Sequence, residues 1–430
     1  MDRDTAESDE GAAPGTGRAY QTLRHRDFRL LWSAELASTL GSQMQRVAIA
    51  YQVFQITGDP LQLGLLGLFR FAPIALFGLA GGVVADRRDR RRTLLWTQSI
   101  LLLTSAVLAV LTARDTVTMP IIYALTFFSF AVTAVNGPTR QALIPSLVPR
   151  AEIAGAMTMH TLASTMAAVA GPAVGGFIIA HFGIATTYAI DAVSFLLVIG
   201  AVVALRARSR IAVSTIGGFA AAIEGLRFLR GSPVLLGVMT VDFLATFFGA
   251  SMVLMPVFAE DILGVGAEGL GVLYAAPAFG AVLGSVVMSF ARIPHRPGAG
   301  VLAAIGVYGV CIVGFGLSVN LWLSLALLAV SGAADAVSMT LRHTIRNLAP
   351  PDALRGRVAA AHSTFAMGGP QLGEFEAGVA ARFVGAGPSV ALGGVGTLVA
   401  VAIVALVVPG IARYRTHDDA EDGTYGEPST

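Results

Sequence analysis

Long apolar runs, each closed by a short turn or a cluster of arginines, recur from about residue 30 to about residue 410. A helix needs about 20 apolar residues to cross the hydrocarbon core of a bilayer. Twelve runs of that kind can be placed, at 30–55, 61–85, 93–113, 119–143, 154–180, 185–205, 234–258, 268–291, 299–319, 322–344, 358–383 and 388–410. Helices are the expected spanning element, because lipid cannot satisfy the backbone groups of open strands. Links such as Thr57–Pro60 and His181–Gly183 are too short to do more than reverse the chain at a surface.

The pattern repeats. A shift of 202 residues brings Gly64, Gly67 and Gly82 onto Gly266, Gly269 and Gly284 without a gap. It also brings Arg140, Pro149, His160, Gly171 and Gly176 onto Arg342, Pro351, His362, Gly373 and Gly378. These residues bend a helix, let another helix cross it, or charge its end. Two parallel halves related by an axis along the membrane normal are a transporter pattern. The expected fold is therefore all-α, with two six-helix bundles around a central cavity. The expected organisation is a disordered tail at 1–20, a bundle at 21–205, a linker at 206–232, a bundle at 233–411 and a second tail at 412–430.

The polar positions orient the chain. Arg87, Arg88, Arg90, Arg91 and Arg92 crowd the link between spans 2 and 3, and Arg206, Arg208, Arg210, Arg227 and Arg230 sit in the linker. Arg292, Arg296, Arg355 and Arg357 lie in other even-to-odd links, whereas the odd-to-even links carry chiefly Arg114 and Arg382. The positive-inside rule then places both termini in the cytoplasm. Trp32, Trp96 and Trp322 fall at span ends, where interfacial anchors belong. In the linker, Ile216, Phe219, Ile223 and Leu226 recur at helical spacing, which fits an amphipathic helix on the membrane surface; a docking site and a plain linker both stay open.

Composition excludes several classes. The chain is 55% hydrophobic and 13% charged, too apolar for a soluble domain. All 29 basic residues are arginine. Without lysine there is neither a Walker A phosphate loop nor a Schiff base. The single cysteine, Cys311, permits no intramolecular disulfide. No paired histidine ligands appear, no removable signal peptide is expected before residue 30, and no cofactor, metal or nucleic acid is implied. The expected partners are a small-molecule substrate, protons and the lipid bilayer, with the chain as a monomer and not an enzyme.

The sharpest motif is Gly82-Val-Val-Ala-Asp86-Arg87-Arg88-Asp89-Arg90-Arg91-Arg92. A glycine lets a neighbouring helix approach, and a carboxylate at the membrane edge can cap a helix N-terminus or hold an arginine. Gly82, Asp86 and Arg87 are expected to act as a cytoplasmic latch, with Arg140 and Arg342 as gate residues that pair with inner-surface carboxylates; snorkelling to phosphates is the plainer reading of the two arginines. This stretch resembles the loop 2–3 signature of the major facilitator superfamily, with Asp89 in place of a second glycine and Met288 at the repeat position of Asp86. Phe28-Arg-Leu-Leu-Trp32, Thr57-Gly-Asp-Pro60, Pro138-Thr-Arg140-Gln-Ala-Leu-Ile-Pro145 and Leu354-Arg355-Gly356-Arg357-Val358 are similar to a bacterial branch of that superfamily, the enterobactin (siderophore) exporter branch, over roughly residues 20–413. Relatives often carry an aspartate where this chain has Ser42. Gly171-Pro172-Ala-Val-Gly175-Gly176 resembles the core of the antiporter signature, in which proline kinks the helix and glycines permit close packing; a purely structural kink fits equally.

Ionisable residues inside spans mark function by default. Glu35, Thr39, Ser42 and Arg46 lie within about 60° on one helical face and are expected to line a water-filled cavity. Glu35 and Arg46 are about 16 Å apart along the axis, so each needs another partner. Arg70 is placed beside Arg46, where two arginines attract an anion; a structural arginine bound to carbonyls fits either one equally. In span 11, Gln371 and Glu374 share the cavity face while Glu376 points elsewhere, against a helix or an arginine. Glu374 is the first candidate to exchange a proton for substrate and Asp242 the second; a neutral glutamate that ties helices together is the structural alternative. Asp335 is expected to reach Arg342, Asp191 to reach headgroups, and His160 and His362 to be interfacial. Together with the resemblance, these features imply proton-driven export of a siderophore or an amphipathic drug across a bacterial plasma (inner) membrane. An uptake symporter and a non-transporting sensor or scaffold stay open.

Overall fold

The computed structural model describes residues 19–87, 89–206, 232–291, 294–348 and 352–414; the side chains of 78–87, 347–348 and 352–367 fall outside that description. The amphipathic stretch expected in the linker therefore lies outside the described residues. So do the surroundings of Gly82 and the side chains of Asp86, Arg87 and His362.

The first half comprises α1 (Arg26–Thr57), α2 (Pro60–Arg87), α3 (Arg90–Ala113), α4 (Met119–Leu143), α5 (Ile153–Phe182) and α6 (Ile184–Ala204). The second comprises α7 (Pro233–Phe248), α8 (Gly266–Phe290), α9 (Pro297–Leu317), α10 (Leu321–Leu348), α11 (Asp352–Val384) and α12 (Ala386–Val407). Ten helices among the described residues are long and apolar enough to cross a membrane. The exceptions are α1 and α11, which carry the polar stripes. A helix that fronts a cavity can be more polar than one that faces lipid.

The repeat is visible in the turns. Gly183 and Gly385, also 202 residues apart, end α5 and α11 at φ 83° and 86°. The N–H of Gly183 donates to the Ile179 carbonyl (3.1 Å) and that of Gly385 to the Ala381 carbonyl (2.9 Å). A left-handed φ closes the last helical turn, and glycine adopts it without a Cβ penalty.

The basic link after α2 does more than set topology. The Asp89 carboxylate caps α3 by accepting from the N–H groups of Arg91 and Arg92. Arg90 Nη1 donates to the Ala142 carbonyl (2.9 Å) and Arg91 Nη2 to the Val203 carbonyl (2.6 Å). These carbonyls close α4 and α6, where a cation meets the negative end of a helix. Trp96 and Trp322 are exposed as interfacial anchors should be, but Trp32 instead turns inward and donates to the Met159 carbonyl at 2.8 Å.

Three apolar cores describe how the halves meet. One contains Phe28, Leu31, Leu94 and Leu143 of the first half only. A second contains Leu235, Val241, Leu341 and Ile411 of the second half only. Both lie at the end where the described termini are found. The third, at the opposite end, draws on both halves, with Val53, Leu63 and Tyr188 beside Leu254, Phe258, Leu270 and Phe315. Among the described residues the bundles are thus joined at the opposite end, and no apolar core shared by both halves is found at the terminal end.

Glycines make that junction close. α2 runs along α11, and α5 along α8. A methyl built on Gly64 would lie 2.9 Å from Gly378 Cα, and one on Gly176 would lie 2.7 Å from Gly271 Cα. Gly271 is not a repeat mate of Gly64 or Gly67. Gly266, the mate of Gly64, begins α8 at φ 62°, so the two seams use different registers. Across α5, Gly171 and Gly175 receive Gln43 and Met44 of α1. The helix continues through Pro172, and its glycines admit a neighbour on two sides.

Span 7 departs from expectation. The expected helix over 234–258 stops at Phe248 and resumes after Gly249-Ala250-Ser251 in short turns, Met252–Leu254, Met255–Val257 and the π-type turn Phe258–Ile262. The hydroxyl of Tyr308 donates to the Gly249 carbonyl at 2.9 Å, satisfying backbone that the break releases. Non-helical backbone at membrane depth is tolerated where protein covers it or where it lines a cavity.

Candidate functional site

The residues expected to share one cavity separate into four groups. The central group bridges the two bundles. Arg70 of α2 pairs with Glu374 of α11, Nη1 to Oε2 at 3.0 Å, with side chains 7% and 15% exposed. Gly67 makes room for it, since a methyl there would stand 2.8 Å from Glu374 Cβ. The guanidinium of Arg70 also lies over the ring of Phe130, 5.8 Å from its centroid. Arg46 of α1 completes the group, within electrostatic reach of Arg70, Glu374 and Tyr274. Its side chain is exposed yet surrounded by protein, which places it on an internal cavity. Among the described residues no carboxylate pairs with it. Gln371 is on the same seam, its Oε1 buried without a partner. The position of Glu374 on the cavity side agrees with the helical-wheel reading. Glu376 is half-buried and meets no arginine among the described residues.

Glu374 also borders a cavity of about 320 Å³ on the inner face of the second bundle, with Gly249, Ser251, Tyr308, Ser331 and Asp335. It opens beside the break in span 7. Half-helix ends at midplane are where transporters of this architecture hold polar groups of their cargo.

The second group corrects the placement of Glu35. It sits not with Arg46 but between Arg140 and His160, Oε1 3.8 Å from Arg140 Nε and Oε2 3.4 Å from His160 Nδ1. His160 is therefore inside this group and not interfacial. Glu35 Oε1 and Arg140 Nε make no hydrogen bond, so this ion pair is loosely held. The third group is its counterpart in the second bundle. Asp242 is removed from the cavity, because Arg342 binds its carboxylate and also reaches Asp335 at 3.3 Å. Arg140 and Arg342 thus do pair with carboxylates, each within its own bundle and on the first helix of that bundle. Neither spans the gap between bundles, as expected of an end where the halves are apart.

The fourth group corrects Ser42 and Asp191. Asp191 reaches no headgroup; it is 0% exposed, and accepts from Ser105 Oγ at 2.7 Å and from Ser42 Oγ at 3.5 Å. Only its isolation in an apolar run signalled it in the sequence. Two exposed pairs, also not foreseen, cross between bundles at the joined end: His181 with Glu268 at 3.3 Å and Arg382 with Asp59 at 3.4 Å. In each, a base at the end of the fifth helix of one bundle meets an acid at the start of the second helix of the other.

A family model described as transmembrane secretion effector matches residues 17–422. The chain belongs to that family. The chain is 27% identical over 400 residues to the enterobactin exporter EntS of Shigella boydii serotype 18, an alignment that covers 91% of this chain and 94% of that one. It is 26% identical, with the same coverage, to EntS of Escherichia coli O1:K1. Its fold is that of solved major facilitator transporters. A bacterial homologue of the lysosomal transporter Spinster, inward-facing and unoccupied, superposes with a TM-score of 0.73 at 14% identity, covering 94% of this chain and 99% of that one. A bacterial homologue of the iron transporter ferroportin, inward-facing, gives 0.69 at 14% identity, covering 90% and 99%. The protein is a multi-pass membrane transporter of the major facilitator type, homologous to enterobactin exporters.

Proposed function

We propose that this transporter exports an acidic, amphipathic small molecule of the siderophore kind from the cytoplasm by proton antiport. The observation that carries the reading is the Arg70–Glu374 pair between the bundles, beside an arginine, Arg46, that fronts the cavity and pairs with no carboxylate among the described residues. An anion entering from the open end is attracted by both arginines. Held by Arg46, it competes with Glu374 for Arg70 and weakens the pair that spans the joined end. The bundles then rock, and the site faces the other side. There the anion leaves and Glu374, without its counter-charge, takes a proton. Return to the present state restores Arg70 to Glu374 and releases the proton inward. A lipophilic cation would meet two arginines and is the poorer cargo. The enterobactin export named for the relatives agrees with this substrate class. In this reading the protein is a monomer in the bacterial inner membrane, with both termini and the open end cytoplasmic. The latch of Gly82, Asp86 and Arg87, together with Arg140 and Arg342, closes that end in the opposite state.

The test is flux in proteoliposomes containing purified protein and a pH-sensitive dye. An imposed proton gradient is challenged with a siderophore panel and with lipophilic cations, for wild type and Glu374→Gln. The expected result is proton movement that depends on an acidic siderophore and is lost in the variant. Proton movement with cations instead would overturn the substrate class. Movement that persists in Glu374→Gln would remove Glu374 from coupling, and net uptake with protons would replace antiport by symport.

A further inference from the structure

The Asp191 group inside the first bundle has no place in that cycle, and its chemistry is unusual. Asp191 is completely enclosed, on α6, between α1 and α3. No basic side chain among the described residues stands within ion-pairing distance of it. α3 presents Ser105, and α1 presents Ser42 and Gln45. Arg46 is one turn beyond Ser42, and Glu35 lies two turns before it with its own partners. On α6 itself the nearest titratable side chain is Tyr188, whose hydroxyl donates to Gln52 at 2.8 Å. α5 brings His160, which is held by Glu35, and His181, which is paired to Glu268. An enclosed charge without a counter-charge is costly, and such a group adopts its neutral form.

The hydrogen bonds say where the proton would be. Gln45 Nε2 donates to Ser105 Oγ at 2.7 Å. Ser105 must then direct its own hydrogen to Asp191 Oδ2, 2.7 Å away. Oδ2 is held by that bond, and Oδ1 accepts from the Ser42 hydroxyl at the longer distance of 3.5 Å, so Oδ1 is the oxygen that a proton would reach, by way of Ser42. Ser42 is only half-buried. It precedes Arg46 by one helical turn on the same face, so the hydroxyl leads from Asp191 towards the cavity that Arg46 fronts.

We infer that Asp191 is a second proton-binding site of this transporter, separate from Glu374, which exchanges its proton with the central cavity through the Ser42 hydroxyl. The inference rests on the proton-driven reading above for its role but can be tested apart from it. Infrared difference spectra of wild type reconstituted in lipid would be recorded across about pH 5 to pH 9 and after transfer to deuterated buffer. The expected result is a protonated-carboxyl carbonyl band that titrates, shifts on deuteration and is lost in Asp191→Asn. Asparagine preserves the shape and the bond from Ser105. Ser42→Ala, which leaves Asp191 in place, should retain the band but slow its exchange. Absence of any band that depends on Asp191 would overturn the inference. So would a band that neither titrates nor exchanges, because Asp191 would then be a fixed neutral tie between helices. Failure of wild type to move protons in the flux assay would refute antiport while leaving the spectroscopic result to decide Asp191.

Discussion

Neutralising Glu374 should open the joined end of the molecule. The Arg70–Glu374 pair is 3.0 Å long, and its side chains are 7% and 15% exposed, so solvent screens it little. Removing one partner of a buried pair costs roughly 3–5 kcal/mol, mostly because a charge is left behind. Glutamine keeps an oxygen near Arg70, so the lower end, about 3 kcal/mol, is the better figure for Glu374→Gln. At 1.4 kcal/mol per tenfold, that shifts the equilibrium between joined and parted ends by about a hundredfold. Spin labels at cysteines introduced at Ile56 and Phe383, both exposed and on opposite bundles, would report the separation by pulsed dipolar spectroscopy; the native Cys311 is buried. Glu374→Gln should add a longer-distance population, and Arg70→Gln should add one too. The double variant leaves no uncompensated charge and should be less perturbed than either single variant. An unchanged distribution in Glu374→Gln would refute the reasoning. Strictly additive shifts in the double variant would also refute it, since two coupled residues cannot behave independently.

Arg46→Ala should leave thermal stability within about 0.5 kcal/mol, as for a side chain that makes no ion pair among the described residues, while uptake of acidic cargo into inverted vesicles falls. Retained flux there would remove Arg46 from the substrate path. Gly176→Ala should overpack the α5–α8 seam against Gly271 at a cost of about 1–3 kcal/mol, visible as the same longer-distance population; a wild-type distribution would mean that the seam accommodates a methyl. Glu268→Gln should matter little, because its pair with His181 is exposed and such pairs contribute about 0–1 kcal/mol. Whatever effect it has on the label distances should vanish at high salt. Tyr308→Phe frees the Gly249 carbonyl and should lower the melting temperature by the equivalent of about 1 kcal/mol, unless water in the adjoining cavity replaces the hydroxyl.

The number of spans, and the placement of all but the seventh, follow from the sequence alone, because a lipid-crossing helix must be long and apolar and its ends must be polar. The sequence also determined the two-fold repeat, since residues that reverse or cross helices cannot drift without changing the fold. Helical geometry also put Glu374 and Gln371 on one face and excluded a Glu35–Arg46 pair, because these are facts about a single helix. What lay beyond one helix was decided only in the tertiary structure. The stripe Glu35, Ser42 and Arg46 reads as one surface, yet its members face three different neighbours: Arg140 and His160, Asp191, and the cavity. A helix in a bundle touches several others, and a sequence does not say which helix stands opposite which residue. For the same reason Asp242 moved from the cavity to Arg342, and Asp191 from the membrane surface to the interior of its bundle. The break at Gly249–Ser251 was hidden because the apolar run continues through it, and only Tyr308, from another helix, makes the released carbonyl affordable. Which end of the molecule is joined depends on glycines of different halves that meet at Gly64–Gly378 and Gly176–Gly271, contacts that exist only once the two bundles are brought together.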